Sequence, residues 1–460
     1  MRYTEFLQKM RDAELGAGRL EASPTGCRYF DYSAGQPNLY LLMRFKQALT
    51  AEFGIEAGFQ LYRQAVGRHG GAELRRRPLV SQHSFAAAHG AVFRGLIPGG
   101  EPFTLYPPKV IGSGNHRPLH GVSRSFYVAC IEAARIRGRS EAIEAGGTCL
   151  LDFQETELAR INDQLEFDSA IFAAVGQDVA VIAERSPADA IEIDEACTLL
   201  GAHTDFFGHW MWEYLPRYVA AVQSGGLPPV PVLIDGHMPP SHRQALELML
   251  AEGATIVEIP ALATVTVKRL WCVPNLQYMP LHELSDDCFK WDYVAPPPTR
   301  FASVTREMTR RATLALSNDD APQRVFLARR AFRHRKLVNH RAIEAEAKRR
   351  GFAIVYPEDL DFIEQARLLH AARFVIAPEG SALFLLYFAQ PGCRLCHLTH
   401  PSIEDLAMFD GLLAGKEVDI VVLTGPTVRQ HEDHPYYLDY QIDEPGFCRF
   451  LDAWLAGDSA

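Results

Sequence analysis

The sequence predicts an α/β protein built from two wound sheets in tandem, behind an N-terminal accessory region. Three observations predict it. From residue 127 onward, apolar runs of strand length alternate with stretches of helix length, the pattern of parallel sheets covered on both faces. A proline-rich polar break across residues 293–321 splits that alternation in two. The chain is 460 residues long, more than one ordinary core accommodates. The expected division is an accessory region over 1–125, one Rossmann-like domain over 126–295 and a second over 296–460.

Composition narrows the class. Apolar residues make up 48% and charged residues 22%, which suits a folded globular chain. A formal charge of −10 argues against a nucleic-acid binder, which needs a broad basic surface. The basic residues instead concentrate locally, in Arg75-Arg76-Arg77 and between Arg329 and Lys336. That suits a small anionic ligand. Nine cysteines in this length do not form a disulfide framework, and the first residues lack the apolar core of a signal peptide. No apolar run approaches a membrane span. The expected location is a reducing cytoplasm, with loose attachment to the inner face of a membrane left open.

Along the chain, proline and glycine scattered through 96–121 predict loops. Gly112-Ser113-Gly114 has no evident buried strand before it and no helix after it, so it is not read as a dinucleotide fingerprint. Strands are expected at 178–183, 230–234 and 254–259, with helices at 206–222 and 241–250. The C-terminal part is the clearest. Strands are expected at 325–328, 352–356, 374–377 and 394–398. Between them come a helix from Asn339, as its cap, to Arg350, a helix over 362–371, and an apolar helix opened by Pro378-Glu379-Gly380-Ser381. Ligands of such open sheets sit outside the carboxyl ends of the strands.

Two elements at those ends suit phosphate. The loop from Arg329 to Lys336 carries five permanent cations, and the planar fork of arginine matches phosphate oxygens. A charge run is more often a solvated loop. The turn at Gly380-Ser381 adds a helix N-terminus, whose unpaired N–H groups attract anions. Upstream, His209 and Glu213 are four apart and share a face if the segment from Gly208 is helical. A histidine oriented by a carboxylate is a competent general base. A buried pair that only holds the helix fits the same spacing. His203, Asp205 and His209 also read as a weak metal-ligand set, and no metal is expected. Cys393-Arg394-Leu395-Cys396-His397 matches a haem-attachment pattern, but sits on an expected buried strand where cysteine is a common small apolar residue.

The stretch from Val325 to His400 resembles the core of glycosyltransferase family 61. The matching residues are Arg329-Arg330, Arg335 with Asn339, Gly351-Phe352, Pro357-Glu358, Gln365, and Pro378 with Gly380 to Ala382. The stretch from His209 to Arg217 and the tail from Tyr437 to Leu455 look like further parts of that family. The resemblance implies two Rossmann-type domains facing across a cleft, the GT-B arrangement, and sugar transfer with inversion. It implies a nucleoside-diphosphate sugar donor, with uridine the first expectation, and a glycan or lipid-linked glycan acceptor. No cofactor is expected. His209 and Glu213 become the candidate catalytic pair. Arg329, Arg330, Arg335, Asn339, Gln365, Glu379, Gly380, Ser381 and His397 become the candidate donor site. This sequence departs from the family pattern at Ala328, Glu379, Leu385 and His397. Those departures support the alternative of a catalytically degenerate relative that binds sugar or a partner protein. Glu379 and His397 exchange the family's His and Glu, so they are expected to face each other as a swapped ion pair.

Overall fold

Alternation along three short strands shows how the C-terminal half is built. Val325, Leu327, Val375, Ala377 and Leu395 join one core, while Phe326, Ile376, Cys396 and Leu398 join another on the opposite face. That period of two is what a sheet buried on both faces requires. The computed structural model describes residues 39–66, 72–89, 93–114, 116–154, 165–176, 178–184, 190–280, 291–314, 321–330, 335–429 and 435–457, with Glu5, Gln8, Lys9 and Glu157 besides. Arg333 of the basic loop and the expected connector residues Ser317 to Asp320 lie outside the described residues.

The C-terminal sheet is parallel throughout. Its spatial order is Ala353–Val355, Arg324–Leu327, Phe374–Pro378, Arg394–Thr399, Asp419–Thr424 and Lys109–Ile111. Helices His340–Arg349 and Glu444–Ala456 cover one face through Ile343, Ala347, Phe447, Leu451 and Trp454. Helices Pro298–Leu314, Phe362–Ala371 and the 3₁₀ helix Ser381–Phe388 cover the other. Asp361 opens the 362 helix with a reciprocal capping box to Glu364. Asn339 stands at the start of its helix, but its side chain makes no capping bond and reaches the C-terminal tail instead.

The larger sheet is mixed. Ile256–Ile259, Val232–Asp235, Ile191–Thr198 and Thr264–Cys272 lie side by side and parallel. Phe126–Arg137 continues the sheet antiparallel, and Ile143–Ala145, Thr148–Leu151, Glu73–Ser81, Val179–Glu184 and Ile171–Val175 complete it. Three expectations change here. The run at 178–183 belongs to an antiparallel hairpin with Ile171–Val175, not to the parallel series. The first parallel strand is Ile191–Thr198, whose charged first half hid it from a search for unbroken apolar runs. The region up to residue 125 does not stand apart, because Glu73–Ser81 and Phe93–Ile97 enter the large sheet and Lys109–Ile111 edges the C-terminal one. The strand before Gly112 is an edge strand and not a buried one, and Gly112 turns at φ 124° against Thr424 of the neighbouring strand.

The halves share one core. Trp210, Tyr214, Tyr218 and Trp271 belong to the same buried cluster as Phe301, Met308, Leu383, Leu386 and Leu395. Helix Pro298–Leu314, expected as a polar connector, packs against both Leu215–Gln223 and Ser381–Phe388. The fold is thus mixed α/β with several sheets joined at a common apolar floor. No helix among the described residues is long and apolar enough to cross a membrane.

Candidate active site

From Arg324 onward the C-terminal strands lie in the order 2-1-3-4-5. The first and third are neighbours, and the chain leaves their carboxyl ends in opposite directions, which opens a crevice there. Arg329 follows the first strand, and Glu379-Gly380-Ser381 follows the third. Arg329 Nη1 donates to the Glu379 carbonyl oxygen at 2.7 Å, bridging that crevice. Gly380 adopts φ 156° and ψ 172°, a conformation essentially restricted to glycine. A Cβ there would also come within 3.0 Å of Arg329 Nη1.

Arg335, beyond the same strand and bonded through its N–H to Tyr437 O, adopts φ 57°, an unusual backbone for a residue with a side chain. Its guanidinium lies 4.8 Å from the centre of the Tyr436 ring and 3.5 Å from Glu379 Oε1. His397 Nε2 is 2.8 Å from Glu379 Oε2, so the exchanged residues do face each other. Both are buried. Burial pushes the Glu379 carboxyl up, but the charge and hydrogen bond of His397, with Arg335 and His400, outweigh it and hold it well below the usual range. Its amide donates to Leu398 O at 2.9 Å, so the polar groups of Glu379 are spent on holding the turn. Two guanidinium groups therefore line the crevice, with Glu379 between them, Glu358 acting on Arg329 and Asp405 on Arg335.

The remaining predicted donor residues lie in other contacts. Arg330, more than half exposed, pairs with both Asp359 oxygens and lies 4.2 Å over the Tyr356 ring. Asn339 Nδ2 donates to Ile442 O at 2.8 Å and its Oδ1 accepts from Ile442 N at 3.2 Å, tying the 340 helix to the tail. Gln365 Nε2 donates to Pro357 O at 2.8 Å and Leu360 O at 3.2 Å, bracing the loop below. Ser381 is exposed as the first residue of its helix. Arg329, Arg335, Glu379, Gly380 and His397 are therefore brought together. Arg330, Asn339 and Gln365 serve the frame around them.

The parallel strands of the larger sheet lie in the order 3-2-1-4, and the loop after the first of them carries the second group. Asp235, fully buried, accepts from Thr204 Oγ1 at 2.7 Å, Gly201 N at 3.1 Å and Arg139 N at 2.7 Å, which pins that loop. Burial pushes its carboxyl up to about 6 in spite of those three donors. The helix that follows is expected from Gly208, and it forms with a π turn at Trp210–Tyr214 before Leu215–Gln223. Pro216 cannot donate to the carbonyl four residues back, and Leu215 N–H reaches Trp210 O five residues back. Such π turns concentrate at functional sites.

His209 Nδ1 bonds Glu213 Oε1 across that turn, with Glu213 buried and the imidazole a quarter exposed. The His203 ring stacks on His209 at 4.3 Å and on Phe167 at 4.9 Å. Asp205 is held by Arg139 at 2.7 Å, and no group of three or more metal-ligating side chains occurs among the described residues. Tyr214 donates to Glu141 Oε1 at 2.6 Å, and burial and the Glu213 charge push Glu141 up to about 7. Glu141, Tyr436 and His400 were missed by sequence reasoning. They come from distant segments, and no local spacing announces them.

The two groups meet. A methyl placed on Gly208 would lie 3.3 Å from Ser381 Cβ and 3.4 Å from the Phe384 ring, so the His209 helix starts against the Gly380-Ser381 turn. No curated protein matches the chain. The family model described as Glycosyltransferase 61 matches residues 207–396, from the helix that bears His209 to the residue before His397. That span is a domain of glycosyltransferase family 61, and the chain that carries it is a glycosyltransferase.

Proposed function

We propose that the enzyme transfers a sugar with inversion from a nucleoside-diphosphate sugar, a uridine diphosphate sugar first among them, to a glycan or lipid-linked glycan. One observation carries this reading: the Arg329, Arg335 and Gly380 cluster lies against the start of the helix that presents His209. The diphosphate lies across the arginine-lined crevice and the first turn of the 381 helix, where amides and guanidinium groups offset the charge of the leaving group. His209, with its Nδ1 proton held toward Glu213, uses Nε2 as the base. The acceptor oxygen gives its proton to Nε2 and forms a bond to the anomeric carbon. The bond from that carbon to the phosphate oxygen breaks, and its electron pair leaves with the diphosphate. Two Rossmann-like domains facing across a cleft, the GT-B arrangement, would suit this reaction. A cytoplasmic location remains part of the proposal, and cell fractionation tests it.

Calorimetry is the direct test. Uridine diphosphate is expected to bind, and Arg335→Ala to weaken it at least about tenfold, the equivalent of one lost charge-assisted contact. No heat with uridine or guanosine diphosphate would remove the nucleotide-sugar reading. A product retaining the donor's anomeric configuration would remove the inverting one.

A further inference from the structure

Phe206 has 55% of its surface exposed, and its ring lies 6.1 Å from His209 and 6.1 Å from His203, edge-on to both. A lone exposed phenyl is ordinary on a protein surface. Its position beside the candidate base is not. The backbone around it is rigid: Phe206 N donates to His203 O at 3.0 Å, and Phe206 O accepts from Trp210 N at 2.9 Å. The ring is thus held at the mouth of the His209 helix with nothing in the described chain covering more than half of it. Next to it, Asp205 pairs with Arg139, which also lies 2.9 Å from His237 Nε2. Burial and the Arg139 charge push His237 down to about 4, so its ring is neutral near pH 7. An apolar face bordered by a carboxylate and a neutral imidazole, with a buried guanidinium behind them, matches one ligand chemistry well. A pyranose ring has an apolar C–H face and a rim of hydroxyls that both donate and accept.

We infer that Phe206 is the platform for the acceptor sugar, which lies with its C–H face on the phenyl ring and turns one hydroxyl toward His209. Asp205, partly exposed, takes a neighbouring hydroxyl, since an ionised carboxylate accepts more bonds than its one arginine uses, and the buried Arg139 holds it in place. The inference rests on the proposed transfer reaction and narrows it: the enzyme recognises the terminal sugar of its acceptor, not a lipid tail. The Ser381 turn abuts Gly208, the residue before His209, so donor and acceptor are held by different elements.

The test is saturation-transfer NMR with the methyl glycosides of glucose, galactose, mannose and N-acetylglucosamine, alongside calorimetry with uridine diphosphate. At least one glycoside is expected to bind the wild type, with transfer strongest at its ring C–H protons. Phe206→Ala is expected to weaken that glycoside about tenfold or more, and Phe206→Trp to keep it. Phe206 makes no side-chain capping bond, so the alanine variant keeps its helix start. Arg335→Ala is expected to lose uridine diphosphate and keep the glycoside. Equal glycoside binding by wild type and Phe206→Ala overturns the inference, as does binding of none of the four sugars. Failure of uridine diphosphate alone overturns the donor reading and leaves the platform standing.

Discussion

Each half of the molecule buries a carboxyl group beside its functional residues, and the two are driven in opposite directions. In the larger sheet, Glu141 faces the like charge of Glu213 and is pushed up to about 7, with the Tyr214 hydroxyl and Arg217 opposing. In the parallel sheet, Glu379 is buried too, yet His397 and Arg335 hold it well below the usual range. Burial acts in the same sense on both, so the charge set across each group decides. The half expected to grip a diphosphate surrounds its acid with cations. The half expected to take a proton keeps a second acid near neutrality. On the proposed reading the first arrangement suits an anion and the second suits proton transfer.

That contrast can be broken in order of expected effect. His209→Ala should lower kcat by about 10²- to 10⁴-fold, the usual yield of a positioned base, while uridine diphosphate binding stays unchanged in calorimetry. Unchanged turnover would remove His209 from the chemistry. His397→Ala should cost about 1–3 kcal/mol of stability, because it strips a buried carboxylate of a hydrogen-bond partner at 2.8 Å and leaves Arg335 as its ion-pair partner. The exchange Glu379→His with His397→Glu should recover part of that loss in denaturant unfolding, and no recovery would mean the pair is not interchangeable in place.

The pH dependence separates the two acids. Glu379 has a depressed native pKa, so its stabilisation is present above the ordinary glutamate value of 4.5 and is lost as pH falls below it. Wild type should therefore melt well above Glu379→Gln at pH 7, and the gap should shrink toward pH 3. Glu141 has a raised native pKa, so its ionisation penalises the fold increasingly between 4.5 and about 7, and constantly above that. Glu141→Gln should raise Tm by several degrees at pH 8 and leave it unchanged at pH 4. A gain of equal size at both values would point to packing instead of charge.

The halves also differed in how far they could be read beforehand. The strands from Arg324 to Thr399 follow one another through short helices, and each is paired with a neighbour near in sequence. The facing of Glu379 and His397 was legible from their exchange of the family's His and Glu, and the adjacent parallel strands, which place Ala377 opposite His397, bring it about. In the larger sheet, Glu73–Ser81 pairs with strands that begin near residues 148 and 179, and no local pattern encodes that. Arg330, Asn339 and Gln365 sit inside family-like motifs, yet their side chains went to Asp359, Ile442 and Pro357. Motif spacing names residue types, not the direction in which each side chain points.

By itself, the sequence determined the wound C-terminal sheet, the His209–Glu213 spacing and the basic and glycine turns at the strand ends. These follow from periods of two and of about 3.6 residues and from turn chemistry, all of them local. Only the tertiary structure decided that Lys109–Ile111 closes the far sheet, that Tyr436 lies under Arg335, and that the Gly208 backbone abuts Ser381. Those contacts join segments up to about three hundred residues apart, and they form because a shared apolar core pulls both halves together, a force without direction along the chain.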